Sequence, residues 1–70
     1  MRDKLDNAVV DLRLHYDVVD IGAGMYQVFE QGTNILVATI RPVQAAKVQW
    51  MRDPVDLVRA ALQNNGLWVV

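Results

Sequence analysis

A chain of seventy residues without a single cysteine must hold its fold by packing alone. Small domains with thin cores usually add disulfides, and this one cannot. A single core of this size rarely supplies more than about 3–5 kcal/mol. Two remedies remain: a densely packed interior, or a partner surface that completes it. Twelve valines and two tryptophans in a composition that is 53% apolar serve either. The missing thiols also exclude zinc fingers and thiol catalysis.

The length excludes dinucleotide-binding and barrel enzymes, which need far more chain. Charged residues make up 21% of the chain and the formal net charge is −1. That balance supplies neither the polarity of a disordered segment nor the basic field of a strong polyanion binder. The first residues, Met1 to Asp6, alternate charges without an apolar run. No stretch approaches the roughly 20 apolar residues that span a bilayer. The expectation is a soluble cytoplasmic protein with no membrane partner.

Periodicity gives the elements. Leu5, Ala8, Val9 and Leu12 recur at i, i+3, i+4, i+7, which predicts a helix over residues 2–14. Extending that helix through Val18 would create a second apolar stripe, Val10, Leu14 and Val18, on its other side. A strand over 16–21 is the better reading, because Val18 and Val19 favour strands. Residues 22–24 then turn the chain, 25–30 form a second strand, 31–34 a loop and 35–40 a third strand. Val43, Ala46 and Trp50 sit at helical spacing, so 43–52 is expected to be a helix, with a strand as the alternative. Asp53 and Pro54 read as N-cap and first turn of a further helix. Its buried face would be Leu57, Val58, Ala61 and Leu62, and Gly66 would terminate it. Leu67 to Val70 is apolar enough to dock as a short terminal strand. The expected fold is a single α+β domain over residues 1–70. It has an N-terminal helix, an antiparallel three-stranded meander, one or two C-terminal helices and a short terminal strand.

Few motifs carry chemistry. Val18-Val19-Asp20-Ile21-Gly22-Ala23-Gly24 resembles the first nucleotide-pocket motif of Rossmann-like methyltransferases, in which a strand runs into a glycine turn and then a helix. The match ends at Gly24. Strand-like residues follow it, and the chain cannot house the βαβ units of that pocket. The segment therefore reads as a β-turn, and no cofactor is expected. His15 is the one histidine, with Asp11 and Asp17 as its neighbouring acids, and the chain contains no serine. A helix-terminal role suits it better than catalysis. No acidic loop has the ligand density of a metal site.

Charge divides the chain. Residues 1–30 carry three bases against six acids, and residues 31–70 carry four bases against two acids. The four bases Arg41, Lys47, Arg52 and Arg59 are candidates for phosphate contact, with Trp50 as a stacking group. Asp56 is spaced to neutralise Arg59. Val10, Leu14, Trp50 and Met51 are the candidates for an apolar partner surface. Trp68 is expected in the core. Poor in catalytic groups and rich in apolar ones, the chain reads as a non-enzymatic protein–protein interaction module. It would be a homodimer or a small modulator or inhibitor docking on a larger protein, of the kind phages and mobile elements encode. The alternative is a nucleic-acid-associated transcription regulator with a modest basic face.

Overall fold

The computed structural model describes residues 4–41, 47–52 and 55–67. Helix α1 (Lys4–Leu12) leads into four strands, β1 (Tyr16–Asp20), β2 (Tyr26–Glu30), β3 (Leu36–Arg41) and β4 (Lys47–Trp50), and helix α2 (Asp56–Asn64) follows. The strands form one antiparallel sheet in the order β1-β2-β3-β4. The α+β fold and the meander are as the sequence predicts.

α1 buries Ala8, Val9 and Leu12, members of the predicted apolar stripe. Its end tightens: the Leu14 N–H donates to Asp11 and the His15 N–H to Leu12, three residues back. This turn releases the chain into β1 and disposes of the long-helix alternative. The first hairpin then closes on a side chain. Asp20 Oδ1 accepts the Gly22 N–H at 2.8 Å, and Gly22, Ala23 and Gly24 all adopt positive φ. At Ala23, with φ 53, the conformation costs a non-glycine residue about 1 kcal/mol. A strand follows this turn where a cofactor-binding loop would lead into a helix.

The region expected to be helical over 43–52 is described over 47–52, where 47–50 form a strand and Met51 and Arg52 a bend. Cross-strand register explains why. Val48 lies opposite Ile40 and Trp50 opposite Ala38, so period-two alternation buries Val48 and half-buries Trp50. The helical spacing of Val43, Ala46 and Trp50 loses to that pairing. Residues 43–46 lie outside the described residues, as do the proposed cap at Asp53 and Pro54 and the terminal residues 68–70, including Trp68.

α2 begins with Val55 at the N-cap position, without a side-chain cap, and Asp56 places an acid in its first turn. Val58 and Leu62 are fully buried and Ala61 is partly so. Leu57 departs from expectation and is 55% exposed. It sits about 100° around the helix from Val58, beyond the edge of the buried stripe. The helix ends as predicted at Gly66, φ 81. The Gly66 N–H donates to Gln63 and the Leu67 N–H to Leu62, the paired bonds of a left-handed helix terminus.

Both helices lie on one face of the sheet. The core joins Ala8 and Leu12 of α1 and Val58 and Leu62 of α2 to Val28, Val37, Ala38, Ile40 and Val48. Leu5, Tyr16, Val18, Trp50, Val55, Ala61 and Leu67 close its margin. Two side-chain links tie the layers. Tyr26 donates to Asp6 Oδ1 at 3.3 Å, joining β2 to α1, and Asn65 Nδ2 donates to Asp11 Oδ2 at 2.8 Å, joining α2 to α1.

Candidate functional site: the uncovered sheet face

Strand alternation assigns the other face. Between β2 and β3, Val28 pairs with Ala38 but Phe29 pairs with Leu36, so Val37 is an extra residue in β3. This bulge lets Val37 and Ala38 both enter the core and turns Leu36 to the face opposite. No described helix packs on that face. Three rows cross it. Asp17, Phe29 and Leu36 make the first; Val19, Gln27, Thr39 and Gln49 the second, spanning all four strands; Arg41 and Lys47 the third. Phe29 and Leu36 are half-buried without joining the core cluster. Val19 and Ile21 expose 46% and 43% of their surface, well above ordinary strand residues of the covered side.

The face carries a charge gradient. Asp17 Oδ2 accepts the Gly32 N–H at 2.9 Å, which straps β1 to the β2–β3 loop. On the covered side of the same end, Glu30, which pairs with Tyr16, accepts from Arg52 in the single ion pair among the described residues. At the opposite end, Arg41 and Lys47 stand directly across from each other in the β3–β4 register, both exposed. Like charges opposed in this way destabilise a pair of strands unless an anion lies between them. No described acid does. With Val48 and Gln49 they line an open hollow.

The sequence-derived candidates are therefore dispersed. Of the four bases, the structure brings together Arg41 and Lys47. Arg52 is occupied by Glu30, and Arg59 lies half-buried on α2, with no ion pair to Asp56. Of the apolar candidates, Val10 is 44% and Leu14 72% exposed, on and just after α1. Trp50 is on the covered face, packed against the core. Met51 follows β4, is 54% exposed, and donates its N–H to Val37. Sequence reasoning passed over Phe29, Leu36 and the Gln27, Thr39 and Gln49 row. The signal was the period-two alternation of β2 and β3; without β4 as a strand, the rows could not be assembled.

His15 is exposed, and its neighbouring acids are engaged elsewhere, Asp11 by Asn65 and Asp17 by Gly32. Tyr26 is the one described group with a clearly displaced pKa. Burial pushes its phenol up, and the carboxylates of Asp6 and Asp20 add to the rise. Among the described residues no three His, Asp or Glu side chains converge as metal ligands, and no helix is long and apolar enough to cross a membrane. Comparison with family models, curated proteins and solved structures gives no match.

Proposed function

We propose that this chain is a non-enzymatic interaction module, a small cytoplasmic modulator that docks on a larger protein through the uncovered face of its sheet. Arg41 and Lys47, opposed with no described acid between them, carry the reading. A partner carboxylate placed between them would turn a repulsive pair into two charge-assisted hydrogen bonds. Phe29 and Leu36 provide an apolar contact on the same face, and the amides of Gln27 and Gln49 can bond a partner backbone or side chain between the two ends. The partner so described carries acidic groups beside an apolar anchor. A second copy of this chain is the other protein partner to consider.

The experiment compares the wild-type chain with the Arg41→Glu/Lys47→Glu double variant. Light scattering reads self-association, and affinity capture from the native host reads a stoichiometric partner. The expected result is a monomer that retains one acidic protein, with retention lost in the double variant while circular dichroism stays unchanged. Equal retention by both chains, or no partner for either, overturns the proposal.

The same cation pair favours one further reading, binding of single-stranded nucleic acid with Phe29 stacked on a base. Two phosphate contacts predict a shallow salt slope of about −1.4 and weak affinity, against a chain of net charge −1. Oligonucleotide titration at low salt separates the two: weak binding that falls with that slope selects nucleic acid, and no binding rejects it.

A further inference from the structure

The Asn65-Gly66 step carries a second kind of chemistry, independent of the docking face. Asparagine followed by glycine is the pair in which the next residue's backbone nitrogen reaches the side-chain carbonyl carbon with least obstruction, because glycine has no Cβ. Of the four asparagines in the chain, Asn65 alone has this neighbour. In the folded chain both reacting groups are held. Asn65 has ψ 15, a helix-like turn that directs the Gly66 nitrogen away from its side chain. Its Nδ2 donates to Asp11 Oδ2 at 2.8 Å and to the Ala61 carbonyl at 2.7 Å. The Gly66 N–H donates to the Gln63 carbonyl at 3.0 Å.

We propose that Asn65 is a conditional modification site, protected by the α1–α2 clamp and deamidated when the end of α2 opens. On opening, the Gly66 nitrogen attacks Asn65 Cγ and forms the ring C–N bond. The Cγ–Nδ2 bond breaks, and the proton lost from Gly66 leaves with the amide as ammonia. Water then adds to either carbonyl of the succinimide, which opens to aspartate or isoaspartate, with no redox change. The product cannot rebuild the clamp. A carboxylate stands where an N–H₂ served two acceptors, and it faces the carboxylate of Asp11 and the carbonyl of Ala61. Opening of α2 is thereby recorded as a covalent, one-way release from α1.

The test incubates the purified chain at mildly alkaline pH, folded and in urea, and reads Asn65 by peptide mass spectrometry and isoaspartate detection. Asn7, Asn34 and Asn64 serve as internal controls. Conversion at Asn65 is expected to be slower in the folded chain by about tenfold or more, the protection that a closed helix end confers. Asp11→Ala removes one arm of the clamp and raises the folded-state rate several-fold. Gly66→Ala slows conversion in urea, as attack by that nitrogen requires. Equal Asn65 rates in folded and unfolded chains overturn the proposal, and so does a folded Asp11→Ala chain that converts no faster than wild type. Should Asp11→Ala not fold, the wild-type comparison decides alone.

Discussion

The two faces of the sheet come from the same four strands and face opposite demands. On the covered face, alternate residues Val28, Ala38, Ile40 and Val48 lose nearly all contact with solvent beneath the two helices. On the uncovered face, their neighbours Gln27, Phe29, Thr39, Arg41, Lys47 and Gln49 mix amide, aromatic and cation. One residue along a strand separates a position set by packing from one free to vary in chemistry. The difference teaches where to look for function: Arg41 and Lys47 sit opposite each other, both exposed, and no packing among the described residues explains them.

The largest effect should come from the covered face. Ile40→Ala or Leu62→Ala removes a fully buried side chain, and each is expected to cost about 2–5 kcal/mol, read as a lowered urea midpoint. In a domain this small that loss can unfold the chain at room temperature, and a midpoint shift as small as a surface change would break the contrast between faces. On the uncovered face, Phe29→Ala should cost roughly 1 kcal/mol or less, because the ring is only half-buried there. A cost equal to that of Ile40→Ala would place Phe29 in the core after all. Tyr26, at the edge of the covered face, supplies a pH test. Its folded pKa lies above the ordinary value of 10.0, so its contribution is intact below pH 10.0 and is lost as pH rises through the folded value. Urea midpoints measured across the alkaline range should therefore fall for wild type and fall less for Tyr26→Phe; identical curves would contradict the assignment. The smallest effect belongs to Lys47→Glu. Replacing the opposed cation by an anion should stabilise the isolated chain by about 0.2–0.5 kcal/mol at low salt and by nothing at high salt. A destabilised variant would mean that Lys47 already has an anionic partner.

Much of this architecture can be read from residue order, for reasons that differ by segment. α1 is legible because Leu5, Ala8, Val9 and Leu12 match one helical face and nothing competes. The first hairpin is legible because Gly22 and Gly24 permit a backbone that other residues resist. β4 is not, because a four-residue strand with Val48 and Trp50 two apart carries too little pattern to outweigh the helical spacing around it; its state is decided by pairing with β3. The uncovered face is legible only in part. Arg41 and Lys47 are visible as bases, but their opposition exists only once β3 and β4 are in register. The bulge at Val37, which turns Leu36 beside Phe29, leaves no signature in local composition.

The strand order has a kinetic consequence. Each strand pairs only with its neighbour in the chain, so every hairpin closes over a short loop and pays little loop entropy. Such sequential pairing favours quick assembly of the meander. Packing of α2 against α1, within which the Asp11–Asn65 link spans 54 residues, is the long closure left to make. Assembly of the meander first and arrival of α2 last would make the final turn of that helix the slow latch of an otherwise quick chain.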